Sequence, residues 1–124
     1  MKPRVLVADD EPPILLTLRA ILERHGFEVE TVASGHQAVE KLAAMSFDLV
    51  ITDLRMEHDE AGYDVIAAAQ RGTSRARAVL LTAYPPAEQE WKMKGAIAMF
   101  EKPVNVPRFV KQLKALIQRG AGAT

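Results

Sequence analysis

Two hydrophobic periods alternate along this chain. Arg4–Ala8 (RVLVA) is an apolar run without helical spacing that stops at acid, the pattern of a buried strand. Ile14, Leu15, Leu18, Ile21 and Leu22 then recur at helical spacing and predict an amphipathic helix. Pro12 and Pro13 suit its first turn, where a missing N–H loses no hydrogen bond, and Gly26 suits its end. Residues 27–32 read as a second strand. Ser34 is the expected N-cap of a second helix, whose apolar face is Ala38, Val39, Leu42 and Ala43. Residues 47–52 (FDLVIT) form a third strand, again followed by an acid, Asp53. After a polar loop over 55–62 comes a helix over 63–70, stopped by Arg71-Gly72-Thr73-Ser74. A strand over 78–82, a short helix over 86–94 closed by Gly95 and a strand over 96–101 follow. Val106, Phe109, Val110, Leu113, Leu116 and Ile117 carry the last helix.

The pattern is strand then helix, repeated five times. Strands apolar on both sides, alternating with helices, imply a parallel sheet covered on both faces. Right-handed crossovers leave few arrangements of such a chain. A closed (β/α)₈ barrel needs about 250 residues, and this chain has 124. The expected architecture is therefore an α/β doubly wound sheet. In such sheets ligands bind beyond the carboxyl ends of the strands.

The composition is that of an ordinary globular chain, with 48% hydrophobic and 26% charged residues. The absence of Cys excludes disulfide scaffolds, thiolate zinc sites and cysteine nucleophiles. No apolar run approaches the roughly 20 residues of a membrane-spanning helix. The N-terminus reaches acid too early for a signal peptide, so a cytoplasmic location without membrane contact is expected. Net charge is zero but unevenly spread: residues 1–62 hold 6 Lys/Arg and 12 Asp/Glu, residues 63–124 hold 10 and 4. That asymmetry fits an interaction surface or a cation site, and equally a chance difference between helix surfaces.

The residues at the carboxyl ends of the strands change the picture. The first strand delivers Asp9 and Asp10, the third Asp53, the fourth Thr82 and then Tyr84, the fifth Lys102 followed by Pro103. Taken singly, the acids are ordinary turn residues, Thr82 an ordinary strand residue and Lys102 a surface lysine. Taken together on one sheet edge, they place three carboxylates, a hydroxyl and an ammonium around one pocket. Three close carboxylates repel one another unless a cation lies among them. Hard oxygen ligands in a partly open site suit Mg²⁺, which keeps waters and shares a phosphate. A carboxylate held there can act as a nucleophile toward a phosphoryl group and give an aspartyl phosphate. Thr82 and Lys102 would then meet phosphoryl oxygens as a hydrogen-bond donor and a point charge.

The set VLVADDE, DLVITD, LLTAY and FEKP, in this order and spacing over residues 4–118, resembles the receiver domain of two-component response regulators. The resemblance implies a flavodoxin-like fold with five parallel strands in the order 2-1-3-4-5 and five helices. It implies a receiver domain over residues 1–119, with 120–124 as a flexible tail or the start of a linker. It also implies a phosphorylated switch rather than an enzyme: a histidine kinase, or a histidine phosphotransfer protein, passes a phosphoryl group to Asp53. Asp10 would then bind Mg²⁺ directly, Asp9 would act mainly through water, and the backbone carbonyl of Arg55 would be a further ligand. Thr82 and Lys102 would hold the phosphoryl group, with a cis bond between Lys102 and Pro103. A downstream protein, or an output domain, would read the state.

The sequence departs from the family pattern at several points. Met56 is followed by Glu57 where the family has Pro, and the 53–62 loop is a residue longer than usual. The 82–95 segment is shorter and carries Pro85-Pro86. Met99 stands where an aromatic ring commonly turns inward with the Thr. Phe100 is its neighbour and so belongs to the opposite face of the strand. These departures motivate the alternative, a phosphate-independent interaction module with a receiver-like fold.

Other residues carry weaker readings. Arg55 and Tyr84, each two past a site residue, flank the expected pocket mouth or are solvated loop side chains. Trp91 is expected to pack inward with Ala87; turned outward, it would be a partner-binding anchor. His25, His36 and His58 share no metal-ligand spacing and read as surface residues. Lys111, Lys114 and Arg119 read as the solvated side of the last helix, with no nucleic-acid-binding motif beside them. A haloacid dehalogenase-type hydrolase would want an acid two residues past the nucleophile, where this chain has Arg55.

Overall fold

The computed structural model describes residues 2–72 and 74–122, with side chains through residue 118. Ten elements alternate: β1 (Arg4–Ala8), α1 (Pro12–Arg24), β2 (Glu28–Val32), α2 (Gly35–Ala44), β3 (Leu49–Thr52), α3 (Ala61–Arg71), β4 (Arg77–Thr82), α4 (Glu88–Met93), β5 (Ala98–Glu101) and α5 (Val106–Gly122). All strands run parallel in the order β2-β1-β3-β4-β5. This is the flavodoxin-like arrangement that the sequence implied. Helix α5 continues to Gly122; residues 123 and 124 of the expected tail, and Thr73 of the expected α3 stop, lie outside the described residues.

The strand period divides the core. Val5, Val7, Leu49, Ile51, Val79 and Leu81 pack with Leu18 and Leu22 of α1 and Phe109, Val110 and Leu113 of α5. The alternate residues Leu6, Ala8, Val50, Ala78 and Leu80 pack with Ala38 and Leu42 of α2, Val65 and Ile66 of α3, and Trp91 of α4. The three inner strands β1, β3 and β4 thus lose both faces to helices, which is why they are apolar almost throughout, whereas the edge strands β2 and β5 keep Glu28 and Glu101 exposed. Phe100 joins the α1–α5 side and meets Phe109 edge to face, with centroids 4.9 Å apart. Met99, one residue earlier, packs half-buried on the α2–α4 side. Trp91 is buried as expected, but Ala87 is exposed and does not share its packing.

Three predicted strands start later than the apolar pattern suggests: β3 opens at Leu49 rather than residue 47, with the Phe47 N–H turned to Ser74 Oγ at 3.2 Å, and β2 and β5 share one physical reason. At the end of α1, Gly26 takes φ +92°, its N–H donates to Glu23 O, and the Phe27 N–H returns to Leu22 O. At the end of α4, Gly95 takes φ +103°, its N–H donates to Lys92 O, and the Ala96 N–H returns to Trp91 O. In this cap the residue after the left-handed glycine spends its N–H on the helix. Phe27 and Ala96 are buried core residues, yet they belong to helix caps and not to strands. Helix α4 is shorter than expected because Ala87 O, not Pro85 O, accepts its first helical hydrogen bonds, from Glu90 and Trp91 N–H. Pro85 and Pro86 stay in the loop.

Strand register sets up the carboxyl edge. Ala8 pairs with Thr52, so Asp9 and Asp53 leave the sheet side by side. Thr82 pairs with Glu101, and the Lys102 N–H donates to Thr82 O at 2.9 Å.

Candidate phosphoacceptor and cation site

Asp53 sits one residue past β3, only 8% exposed. Its Oδ1 accepts from the Leu54 N–H at 2.7 Å and its Oδ2 from Lys102 Nζ at 2.9 Å. The Asp53 carbonyl accepts from the Thr52 hydroxyl at 2.8 Å. Asp9, past β1, is 2% exposed; its Oδ2 accepts from Lys102 Nζ at 2.7 Å and its Oδ1 from the Glu11 N–H at 2.9 Å. One ammonium, one residue past β5, therefore joins the ends of β1 and β3. The Lys102–Pro103 peptide is cis.

Charge balance shapes the protonation of this group. Burial holds the Asp9 carboxyl above its ordinary value of 3.8; Lys102 and the Glu11 N–H pull it back, and the Asp53 charge adds to the rise. Burial alone would make Lys102 a weaker base, but the hydrogen bonds and charges of Asp9 and Asp53 outweigh it and keep the ammonium protonated.

Carboxylate oxygens of Asp9, Asp10, Glu11 and Asp53 all lie within 4.8 Å of one another. Four acids face one lysine. This set of hard oxygen donors, partly exposed through Asp10 and Glu11, fits a small divalent cation better than it fits an ammonium alone. Asp9, Asp10, Asp53 and Lys102, predicted from strand ends far apart in the chain, are thus brought together. Thr82 is buried at the end of β4, the strand next to that of Asp53, and its Oγ1 accepts from the Tyr84 N–H at 3.2 Å. Arg55 lies two residues beyond Asp53 on an exposed loop, with its guanidinium carbon 4.9 Å from the Tyr84 ring centroid. These two side chains touch each other and line a cleft with Leu54, Glu60 and Pro86, beside the acid cluster's loop.

Two residues of the site went unassigned in the sequence reading. Glu11 joins both the acid cluster and the Lys102 contacts, with Oε2 at 3.2 Å from Nζ. Its signal was its place at the end of the ADDE run. Gly62 is the other: its N–H donates to Leu54 O at 2.8 Å, and a Cβ built there would strike the Asp53 carbonyl and lie 2.8 Å from Leu54 Cα. Only glycine lets α3 begin against the backbone that carries Asp53.

Glu57, where the family pattern has Pro, reaches across to α2. Its carboxylate accepts the N–H of Gly35 at 2.7 Å and of His36 at 2.8 Å. Burial would raise this carboxyl, but those amides, its own N–H and the nearby His58 outweigh burial and hold it below its ordinary 4.5. His25, His36 and His58 are exposed, and none belongs to the acid cluster.

Comparison with known proteins agrees with this fold. The family model for the response regulator receiver domain matches residues 5–114. The transcriptional regulatory protein KdpE of Mycobacterium tuberculosis is 34% identical over 121 residues, which are 96% of this chain and 53% of KdpE. The alginate biosynthesis transcriptional regulatory protein AlgB of Pseudomonas aeruginosa is 36% identical over 102 residues, 81% of this chain and 22% of AlgB. The chain thus spans about half or less of these relatives. A CheY-like receiver domain protein from Methanospirillum hungatei superposes with TM-score 0.91 at 25% identity, covering 100% of both chains. The response regulator TrrA of Thermotoga maritima, solved in complex with Mg(2+)-BeF, superposes with TM-score 0.81 at 31% identity, over 94% of this chain and 99% of TrrA.

Proposed function

This chain belongs to the response regulator receiver family of two-component systems, and on that footing we propose that Asp53 is its phosphoacceptor. One observation carries the reading: Lys102 Nζ contacts Asp53 and Asp9 together, at 2.9 and 2.7 Å, inside a cluster of four carboxylates. Asp9, Asp10 and Asp53, with the Arg55 carbonyl, would hold Mg²⁺. When bound, the ion would offset charge on the carboxylate and the incoming phosphoryl group.

The rest of the chemistry belongs to the chain. An Asp53 carboxylate oxygen attacks the phosphorus of a phosphohistidine. The phosphorus–nitrogen bond breaks, its electron pair stays on the imidazole, and that ring takes up a proton. Lys102 follows the negative charge onto the phosphoryl oxygens. The Thr82 hydroxyl already accepts from the Tyr84 N–H, so its own proton is free to donate to the same group. The donor is a histidine kinase or a histidine phosphotransfer protein, and the place of exchange is the cytoplasm. No described helix is long and apolar enough to cross a membrane. Phosphorylation then biases two arrangements of the face built by α4, β5 and α5, which a downstream protein or an output domain reads.

The test is direct. Incubated with Mg²⁺ and acetyl phosphate, the protein gains one phosphoryl group by intact mass, and Asp53→Asn gains none. Labelling that persists in Asp53→Asn moves the site elsewhere. Met99, a flexible side chain where a ring commonly reports the Thr movement, supports the alternative of a phosphate-independent interaction module. A wild-type protein that takes up no phosphate under these conditions is the result that alternative requires.

A further inference from the structure

Helix α2 starts with N–H groups that its own backbone cannot satisfy. The Ala38 N–H finds Ser34 O inside the helix, at 3.1 Å. The Gln37 N–H finds Ser34 Oγ at 3.1 Å, and the Gln37 side chain returns to the Ala33 N–H at 2.8 Å, a local cap close to a capping box. The first two amides, of Gly35 and His36, have no such local partner. Both go to Glu57, 22 and 21 residues away on the loop that follows Asp53.

The fit is close on both sides. A Cβ at Gly35 would lie 3.1 Å from Ala61 Cβ and 3.3 Å from Glu57 Oε2, so the bare glycine makes room for both the carboxylate and the start of α3. The helix N-terminus favours the negative charge it receives. The other end of the loop is fixed too, by the Gly62 N–H on Leu54 O at 2.8 Å, and a Met56 N–H to His58 O bond at 3.2 Å folds the middle. Arg55 lies between these fixed points. Proline at position 57 would stiffen the loop through its own φ; this chain instead ties the loop to a neighbouring helix.

We propose that Glu57 is a positioning residue: its two hydrogen bonds to α2 fix the loop so that the Arg55 carbonyl is presented to the cation. This rests on the reading of the Asp9–Asp10–Asp53 cluster as a Mg²⁺ site, and the experiment separates the two.

Mg²⁺ binding is measured by titration calorimetry on the wild type, Glu57→Ala, Glu57→Pro, Ser34→Ala and Asp53→Asn. Glu57→Ala is expected to weaken Mg²⁺ about tenfold, the low end for losing a contact behind a metal ligand. Glu57→Pro is expected to recover most of that affinity. Ser34→Ala removes a cap from the same helix without touching the loop, and is expected to lose stability but keep its Mg²⁺ affinity. In metal-free protein, amide exchange at Gly35 and His36 is expected to accelerate in Glu57→Ala. Unchanged exchange there, or equal Mg²⁺ loss in Ser34→Ala and Glu57→Ala, overturns the positioning role. If Asp53→Asn binds Mg²⁺ as the wild type does, the cation site itself is misplaced; if Asp53→Asn loses binding while Glu57→Ala keeps it, only the tether is wrong.

Discussion

Lys102 Nζ stands 2.9 Å from Asp53 Oδ2, across 49 residues of sequence, and the same ammonium holds Asp9 at 2.7 Å. This side chain is 13% exposed, so its pairs are shielded from water far more than surface ion pairs are. Removing it leaves two buried carboxylates facing each other with no cation.

Lys102→Ala is therefore expected to destabilise the metal-free protein by about 2 kcal/mol, below the roughly 3–5 kcal/mol of a fully buried pair because the pocket is open at Asp10 and Glu11. Mg²⁺ should restore more stability to this variant than to the wild type, since it relieves a repulsion the lysine no longer offsets. Urea midpoints with and without Mg²⁺ check both statements. An equal Mg²⁺ increment in the two proteins would contradict the second.

Gly62→Ala is expected to cost about 2 kcal/mol, in the range of overpacked sites, because the new Cβ meets the backbone of Asp53 and Leu54. Backbone cannot rotate away as a side chain can. The variant should also take up phosphate from acetyl phosphate more slowly than the wild type. Urea denaturation and intact mass over time measure the two effects.

Tyr63 ties α3 to α4. Its hydroxyl donates to Glu90 Oε2, and Lys94 Nζ lies 5.3 Å from its ring centroid. Burial first, and then the hydrogen bond and charge of Glu90, push the phenol above its ordinary value of 10.0. The unfolded chain loses this proton first as pH rises, so the stability it supplies is complete below pH 10.0 and lost as pH climbs through the higher folded value. Tyr63→Phe should cost about 1 kcal/mol at neutral pH and flatten the alkaline decline. Urea midpoints across the alkaline range decide it: parallel declines in both proteins would rule out this phenol as the source.

Arg55 and Tyr84, two residues past Asp53 and Thr82, meet through a cation–π contact of 4.9 Å. Such a contact at an exposed site is worth roughly 0.5–1 kcal/mol. Arg55→Ala, which keeps the backbone carbonyl, should let water reach the phosphorylated site more often and speed loss of the phosphoryl group about threefold, the lower part of that range. Decay of the phosphorylated species after acetyl phosphate is removed gives the rate. Slower or unchanged decay would mean that the pair does not shield the site.

The alternation of apolar runs with helical spacing was enough to show ten elements, a covered parallel sheet and four side chains that meet at its carboxyl edge. These features are local: each strand carries its own pattern, and each acid or lysine follows its own strand directly. Exact strand starts were not legible, because Phe27 and Ala96 are as apolar as strand residues while their N–H groups are spent on the caps of α1 and α4. Only the folded chain decided the roles of Glu57, Gly62 and Tyr63. Glu57 answers amides 21 and 22 residues away, Gly62 matters through the backbone pressed against it, and Tyr63 finds its acceptor 27 residues on. No period or motif encodes such partners, since they depend on where separate elements come to rest against one another.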